Sequence, residues 1–399
     1  MYRTLWSAPL QAWIAVPETA RAAGKSSKSS KGSPASRTGT TAGTATLLAA
    51  LALSLAGMPL SASAQAAITA SGDVNPVQTG SAWELGNTSL DVGNTQFGSL
   101  RITGGASIGL SPSGSFNVAR SGGSSGEVTI ADAGSTLTVG RDLDVGSQGD
   151  GRMTIQSGAQ VSSNTGYIGR LANSSGSILV DGTGSQWRTS SFLYVGNNGY
   201  AELTVANGGT VAASGVIDVG RNASTIAGQP QDMALITGAG STLATERSLN
   251  IGHQTGNGSL TVTDGAQALS QEGYIGRDAA ASGMVTISDG GQWQLLEQLR
   301  VGFEGSGEMH IRSGGTVTTG SDSTIASQTG SVGAALVSDQ GALWRTNGAL
   351  TIGQAGSGTL QVSAGGLVLA DRITLGAEAG SNGQLLVASG GAIETRQIT

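Results

Sequence analysis

Residues 193–205 read Leu193-Tyr194-Val195-Gly196-Asn197-Asn198-Gly199-Tyr200-Ala201-Glu202-Leu203-Thr204-Val205. The stretch opens with the motif Leu-x-[Val/Ile]-Gly, passes through a turn rich in Gly and Asn, and closes with apolar residues on either side of Thr. The opening motif recurs along the chain, with its leading residue at Leu90, Leu143, Leu193, Leu249, Leu299 and Leu350. Successive spacings are 53, 50, 56, 50 and 51 residues. A nearly fixed period of this length predicts a repeat architecture.

Each period contains two half-units, because a second step of the form [Val/Ile]-[Gly/Ala] falls between the Leu motifs. It occurs at Val118-Ala119, Ile168-Gly169, Val219-Gly220, Ile275-Gly276 and Ile325-Ala326. Alternating runs such as Met153-Thr154-Ile155, Leu203-Thr204-Val205, Leu260-Thr261-Val262 and Val285-Thr286-Ile287 indicate short strands with apolar residues inward and Thr outward.

No half-unit is long enough to bury its inward face alone, whereas stacked copies bury a continuous core. The sequence therefore predicts an all-β, right-handed parallel β-helix (a solenoid) with coils of about 25 residues and three short strands in each. A β-propeller or sandwich is disfavoured, since its blades require antiparallel hairpins and commonly carry an aromatic signature.

Composition narrows the function. Of 399 residues, 66 are Gly, 12% are charged and none is Cys. This excludes disulfides, thiol catalysis and Cys-based metal sites, and it disfavours a helical enzyme because Gly weakens helices. After residue 64 the chain has 14 Arg, no Lys and 25 acidic residues, a net charge of −11. Nucleic acid is therefore not expected as a partner, since phosphate contacts require an excess of Lys and Arg.

The first 64 residues have the opposite charge, with a net of +5. A basic, Ser-rich stretch from Lys25 to Arg37 precedes an apolar run at residues 47–60. That run is too short to span a bilayer, which takes about 20 residues. Ala62-Ser63-Ala64 follows as an A-x-A cleavage pattern. We therefore predict a secretory signal whose cleavage site contains Ala62 and Ala64, with the cut near Ala64.

Residues 1–25 contain Tyr2-Arg3, Trp6 and Trp13, Ala15-Val16, Glu18, and Gly24-Lys25. In this order they resemble the extended signal peptide region of type V secreted proteins of Gram-negative bacteria. The resemblance implies export through the Sec machinery and an outer-membrane β-barrel translocator as a partner.

The repeats carry a second resemblance. Gly182-Thr183-Gly184-Ser185-Gln186-Trp187 and Gly238-Ala239-Gly240-Ser241-Thr242-Leu243, with the Leu-x-Val-Gly motif, are similar to repeats of autotransporter passengers and some exosortase-sorted surface proteins. This implies an exported stalk at the cell surface or outer membrane, or secreted, with an adhesion or aggregation role and no catalysis. The translocator is missing from the sequence given, so we expect the natural polypeptide to continue, or else to be truncated at Thr399 and periplasmic.

We predict four segments: an extended signal region (1–25), a signal core with its cleavage site (26–64), an N-terminal cap or linker (65–89), and passenger repeats (90–399). Two alternatives remain open. A two-partner secreted exoprotein shares the extended signal, and a polysaccharide-acting β-helix enzyme shares the fold but requires acidic and basic residues clustered on adjacent coils.

Candidate chemistry is sparse. His253 and His310 have no carboxylate at ligand spacing, so neither metal nor acid–base work is expected. Ser288-Asp289-Gly290-Gly291 only faintly resembles a serine-protease loop and fits a repeated turn better. The segment 209–213 has Val211 where a subtilisin-type loop requires Ser. We predict no catalytic, cofactor-binding or metal-binding residues, and no cofactor.

Two rows of repeated residues are candidates for surface contacts or packing. Arg120, Arg170, Arg221 and Arg277 each follow the second [Gly/Ala] step. They form either a comb for host or bacterial surface glycans with anionic groups, or ion pairs with neighbouring acids such as Asp278; we favour the ion pairs. Trp187, Trp293 and Trp344 share one repeat position with Leu137 and Leu243, which favours core packing over sugar stacking. Residues 223–232 are expected to form an inserted loop.

Overall fold

The structure is a computed structural model that describes residues 2–7, 12–17, 65–224 and 231–399. The chain divides into two units, Met1–Ser61 and Ala62–Thr399. In the first, strands β1 (Tyr2–Ser7) and β2 (Ala12–Pro17) pair antiparallel. The predicted apolar signal segment and the cleavage residues Ala62 and Ala64 lie outside the described residues. No helix long and apolar enough to cross a membrane occurs in the described part of the chain.

The second unit is a parallel β-helix, which confirms the predicted all-β solenoid with coils of about 25 residues. Three ladders of strands run along it, and each coil contributes one strand to each ladder. The first ladder is one thirteen-stranded sheet, in which twelve strands are parallel and the N-terminal β3 (Ala67–Gly72) is antiparallel to its neighbour. Its parallel strands are β7 (Phe97–Thr103), β10 (Ser125–Ala131), β12 (Asp150–Gln156), β14 (Ser175–Asp181), β17 (Tyr200–Ala206), β20 (Asp232–Thr237), β23 (Asn257–Thr263), β26 (Ser282–Ile287), β29 (Ser306–Ile311), β32 (Val332–Ser338), β35 (Ser357–Ser363) and β38 (Asn382–Val387).

The second and third ladders share two long strands, which bend from one ladder into the next: β11 (Thr136–Val145) and β13 (Gln160–Ile168). The other strands of the second ladder are β5 (Ala82–Glu84), β8 (Ser107–Gly109), β15 (Gln186–Thr189), β18 (Thr210–Ala213), β21 (Thr242–Thr245), β24 (Gln267–Ser270), β27 (Gln292–Leu295), β30 (Thr316–Thr319), β33 (Leu343–Thr346), β36 (Leu367–Ala370) and β39 (Ala392–Thr395). The other parallel strands of the third are β6 (Leu90–Val92), β9 (Phe116–Val118), β16 (Leu193–Val195), β19 (Ile217–Val219), β22 (Ser248–Ile251), β25 (Glu272–Ile275), β28 (Leu299–Val301), β31 (Ser323–Ile325), β34 (Ala349–Ile352) and β37 (Arg372–Leu375).

The segment predicted as an N-terminal cap or linker, 65–89, contains β3, β4 (Val74–Asn75) and β5. Strand β3 covers the first strand of the first ladder, and β4 pairs antiparallel with β6. Strand β5 already lies in the second ladder, where the Trp83 side chain is buried.

The interior follows the predicted alternation. The apolar residues of the first ladder point inward. In the four alternating runs named above, the two apolar residues on either side of each Thr, such as Leu203 and Val205, are at most 2% exposed. Like residues stack on like because the register between coils is continuous, with Leu203 opposite Ile178 and Val205 opposite Val180. Such stacking satisfies the backbone hydrogen bonds and buries apolar surface in one arrangement.

The Trp row is part of this core. Trp187, Trp293 and Trp344 are fully buried in the second ladder, as favoured from the sequence. Trp187 lies between Val161 and Val211, so large and small side chains alternate from coil to coil. Space for the indole comes from Gly166 in the third ladder, where an added Cβ would lie 2.4 Å from the Trp187 ring.

A row of glycines lies at the start of the strands of the first ladder, and it is interrupted at two positions, Ala201 and Asp232. The row runs through Gly98, Gly126, Gly151, Gly176, Ala201, Asp232, Gly258, Gly283, Gly307, Gly333, Gly358 and Gly383. Where the row carries Gly it leaves no space for a side chain; for example, an added Cβ on Gly176 would lie 2.2 Å from the Val145 carbonyl oxygen.

Asp232 is 2% exposed in this row, and its carboxylate accepts a hydrogen bond from the Ala201 amide at 2.8 Å. Burial raises the pKa of Asp232 to about 8. The expectation that 223–232 is a loop throughout was wrong at this end, because Asp232 begins β20. Residues 225–230 lie outside the described part of the chain.

Candidate functional site

The third ladder presents a continuous row of outward side chains. In Leu-x-[Val/Ile]-Gly the first and third residues point inward, so the x residues stack on the outside at one per coil. This outer row consists of Asp91, Asn117, Asp144, Tyr167, Tyr194, Asp218, Asn250, Tyr274, Arg300, Thr324, Thr351 and Thr374. The residue after the motif's Gly, or Ala in the second step, forms a parallel turn row: Asn94, Arg120, Ser147, Arg170, Asn197, Arg221, His253, Arg277, Phe303, Ser327, Gln354 and Ala377.

The first three arginines of the predicted row contact aspartates of the outer row. Arg120 Nη1 lies 2.6 Å from Asp91 Oδ2, and Arg170 Nη1 lies 2.5 Å from Asp144 Oδ2. Each of these pairs joins one coil to the next. Arg221 Nε lies 3.8 Å from Asp218 Oδ2 within one coil. An aspartate therefore balances the positive charge of each of these three arginines.

The aspartates themselves are buried beneath this layer. Asn117 Nδ2 donates to Asp91 Oδ1 at 2.6 Å, and Asn250 Nδ2 donates to Asp218 Oδ1 at the same distance. Burial raises the pKa of Asp144 to about 6, although the positive charge of Arg170 opposes the shift. A pocket of about 470 Å³ opens beside these groups and is lined by Arg120, Arg170 and Asp144 among others.

Two aromatic clusters occupy the same face. The first aromatic cluster contains Tyr167, Tyr194 and Phe192, with ring centroids 5.1 Å apart for Tyr167 and Tyr194 and 5.9 Å apart for Phe192 and Tyr194. Arg170 lies over the Tyr167 ring at 4.2 Å, and Arg221 lies over the Tyr194 ring at 4.6 Å. Cation–π contacts therefore hold these guanidinium groups against the rings.

The second aromatic cluster contains Tyr274 and Phe303, whose rings meet edge to face with centroids 5.4 Å apart. Arg277 lies over the Tyr274 ring at 5.0 Å, and Arg300 lies over the Phe303 ring at 4.8 Å. Tyr274 is buried, whereas Phe303 is partly exposed. Arg277, the fourth predicted arginine, thus contributes to an aromatic cluster. Asp278, expected near it, instead accepts a hydrogen bond from the Gln254 amide at 2.6 Å.

The expectation that His253 lacks a nearby carboxylate was wrong. Its Nδ1 lies 2.9 Å from Asp218 Oδ2, and its Nε2 lies 3.4 Å from Asp278 Oδ2. The same expectation was wrong for His310, which lies in the first ladder with its Nε2 2.8 Å from Glu308 Oε1. Within residues 65–224 and 231–399, no group of three or more His, Cys, Asp or Glu side chains could hold a metal ion.

The two protease-like segments lie in ordinary repeat positions. Ser288 Oγ donates to Thr263 Oγ1 at 3.2 Å, and Asp289 is a turn residue with φ of 50°. Val211 points into the core and is fully buried. A larger groove of about 670 Å³ lies on another side of the solenoid, beside the second ladder, and is lined mostly by Ser, Thr and Ala with Arg188 and Glu246.

Residues 1–63 match the family described as the Extended Signal Peptide of Type V secretion system. The chain carries a type V secretion signal. The resemblance noted for residues 1–25 is therefore confirmed, and the match extends well beyond them. Such a signal implies Sec export and an outer-membrane translocator, and it directs the chain to the cell envelope or surface. A parallel β-helix follows this signal along the chain.

Two further proteins are similar to parts of the chain. The uncharacterized lipoprotein YdeK of Escherichia coli (strain K12) is 30% identical over 143 residues, which is 34% of this chain. The aligned part spans only 11% of that relative's length. A crystal structure of a TibC-catalyzed hyper-glycosylated TibA fragment aligns over 80% of this chain and 100% of the fragment, at 19% identity and a TM-score of 0.39.

The sequence pointed to the arginines but not to their aromatic partners. The available signal was the x residue of each Leu-x-[Val/Ile]-Gly motif, which is Tyr in Leu193-Tyr194-Val195-Gly196. When the repeats are aligned on this motif, the x residues together make up the outer row. The partners of His253 left no such signal, since Asp218 is 35 residues away.

Proposed function

We propose that this chain is the surface-exposed passenger of an autotransporter-like protein and acts in adhesion or aggregation, without catalysis. The main support for this proposal is the outer face of the third ladder. There the two aromatic clusters and the arginines beside them lie in rows that run along the solenoid. Such a face can contact a long ligand or a surface at several places at once, and several weak contacts together give avidity. The glycans of a host cell or of another bacterium are the partners we propose.

The absence of catalysis is part of the same proposal. A polysaccharide-acting enzyme has to break the repeat to cluster acids and bases with separated pKa values. In the described residues, the aspartates of the outer row are instead tied to Arg, Asn or His of neighbouring coils. These contacts support a structural role for the buried carboxylates.

We also propose the segment boundaries given above, with signal cleavage after Ala64 and a mature chain that begins at Gln65. N-terminal sequencing of the exported protein tests the boundary directly. A first residue other than Gln65 contradicts it.

The function is tested by expressing the full natural gene in a Gram-negative host and labelling intact cells with an antibody against residues 90–399. We expect surface labelling, together with increased attachment to glycan-coated surfaces or increased cell aggregation relative to the empty vector. A chain found only in the periplasm, or surface display without any gain in attachment or aggregation, contradicts the proposal. Release of reducing ends from polysaccharides by the purified protein contradicts the non-catalytic part.

A further inference from the structure

The two aromatic clusters lie on one side of the solenoid, and the inference drawn from them rests on the adhesive function proposed above. Tyr194 and Tyr274 belong to the same outer row and are three coils apart. At about 4.8 Å per coil, their separation along the solenoid is roughly 14 Å. One extended ligand lying along the ladder therefore reaches both clusters.

Each cluster presents an aromatic surface to solvent. Phe192 is 41% exposed, and the rings of Tyr194 and Phe303 are partly exposed. Below them the packing fixes their orientation, since Tyr194 stacks on Tyr167 and Phe303 rests against the edge of Tyr274. Rings held in this way lose little conformational entropy when a ligand stacks on them, which favours binding.

The polar groups around the rings are nearly matched in charge. Guanidinium groups and carboxylates both line the face: Arg120, Arg170, Arg221, Arg277 and Arg300 with Asp91, Asp144, Asp218 and Asp278. Arg170 already donates to Asp144, so it brings N–H donors without a free positive charge. The Tyr167 and Tyr194 phenols are neutral hydrogen-bond donors at pH 7, and burial raises the pKa of both further above its ordinary value.

This balance decides between two classes of glycan. An anionic polymer gains little from Arg120 and Arg170, which are already paired with carboxylates, whereas Arg277 and Arg300 lie against aromatic rings. It also meets a chain with a net charge of −11 after residue 64. An uncharged sugar has no such penalty. Its hydroxyl groups can accept from the guanidinium N–H groups and donate to carboxylates, while its apolar ring face stacks on an aromatic side chain.

We propose that the outer face from Tyr167 to Phe303 binds an uncharged glycan chain laid along the solenoid, with the first and second aromatic clusters as two sugar-binding subsites. This differs from the anionic-glycan comb, which the sequence left as the less favoured alternative, because Arg170 is paired with Asp144 and Arg277 lies over the Tyr274 ring. It also assigns the role of ring stacking to Tyr and Phe on the surface, whereas the Trp residues pack in the core.

The test measures binding of the purified full chain to immobilised maltohexaose, chitohexaose and heparin, at low and physiological salt. We expect binding to at least one neutral hexasaccharide that changes less than about twofold with salt, and weaker binding to heparin. Tyr194→Ala and Phe303→Ala should each weaken binding about tenfold, corresponding to one stacking contact. Thr324→Ala and Thr351→Ala occupy the same outer row in later coils and should leave binding unchanged.

Tyr194→Phe separates ring stacking from folding, because it keeps the ring and should retain most of the affinity. Binding only to heparin with a steep salt dependence overturns the proposal in favour of an anionic comb, and no binding to either neutral glycan overturns it as well. Equal losses in the Thr variants and the aromatic variants also overturn it. Attachment of cells is measured in parallel: cells carrying Tyr194→Ala and Phe303→Ala that still attach contradict this inference alone, whereas wild-type cells that do not attach contradict the proposed function.

Discussion

The coils up to Phe303 and the coils after it share one interior and differ in their outer face. In residues 90–303, here the charged coils, the outer row carries Asp, Asn, Tyr and Arg. In residues 304–375, here the hydroxyl coils, the same positions carry Thr324, Thr351 and Thr374. Inside, both regions have the same stacked aliphatic residues and buried Trp.

The difference shows that the inward residues and turns are sufficient to build the coil. Thr at the outer row pairs in the same register as Tyr or Asp does, so the fold does not depend on the polar and aromatic contacts of the charged coils. Those contacts are then available for function, as expected when a site is carried on a repetitive scaffold.

The largest effect is expected from the shared interior, and it should be equal in the two regions. Trp187→Ala in the charged coils and Trp344→Ala in the hydroxyl coils each remove a fully buried indole. Each should lower the free energy of unfolding by about 3–5 kcal/mol, measured by guanidinium denaturation. A loss confined to one of the two variants breaks the statement that the interiors are equivalent.

The second effect belongs to the charged coils alone and depends on pH. The folded-state pKa of Asp232 is about 8, above its unfolded value near 3.9, so folding binds a proton between these two pH values. The buried Asp232 carboxyl therefore makes the free energy of unfolding fall as the pH rises from about 4 through about 8. Asp232→Asn should remove this fall and gain on the order of 3 kcal/mol at pH 9, with little change at pH 4.

Asp232→Gly restores the glycine row and serves as a second variant with the same expected pH profile. Hydrogen exchange measured region by region should place the change in coils next to residue 232 and leave residues 332–375 unaffected, because each coil contacts only its neighbours. A wild-type stability that rises between pH 5 and pH 8 while both variants stay flat contradicts the assignment.

A smaller effect is expected from the outer layer. Arg170→Ala leaves Asp144 buried without its partner and should cost about 2 kcal/mol at pH 8. The cost should shrink below pH 6, because the buried carboxyl can then take up a proton. Denaturation at the two pH values measures both quantities.

Ser327→Ala is the matched change in the hydroxyl coils, at the same position of the turn row. Its buried hydroxyl has no hydrogen-bond partner among the described residues, so its removal should be neutral or slightly stabilising. If Ser327→Ala lowers the free energy of unfolding as much as Arg170→Ala does, the outer faces of the two regions do not differ in their contribution to stability.

The smallest effect concerns the turns, where the two regions should again agree. Ala119 and Ala326 occupy the turn position that is Gly in most coils, with φ of 56° and 58°. An L-residue with a side chain is strained in this left-handed conformation, so Ala119→Gly and Ala326→Gly should each raise the unfolding free energy by about 0.5 kcal/mol. Thermal denaturation of the two variants beside wild type measures the change. A clear loss of stability in either variant shows that the turn tolerates Ala without strain.

Much of this molecule was predictable from its sequence because the decisive signals are local. Alternation in runs such as Leu203-Thr204-Val205 selects the inward face, and Gly after Leu-x-Val supplies the turn with positive φ, as at Gly196 with φ of 79°. These signals repeat about every 25 residues, and a single coil cannot bury its apolar face alone, so the coils are expected to stack on one another. The Arg row followed from the same period, as did the packing role of Trp187.

Only the tertiary structure decided which side chains meet between coils. The pairing of Arg170 with Asp144 depends on the register between neighbouring strands, and the contact of His253 with Asp218 spans a coil lengthened by an insertion. Asp232 fell within the expected loop because nothing local marks a buried carboxylate within a row of glycines. Sequence thus determined the shape of the coil, since that rests on backbone preference and alternation, whereas the polar contacts were fixed by the alignment of coils distant along the chain.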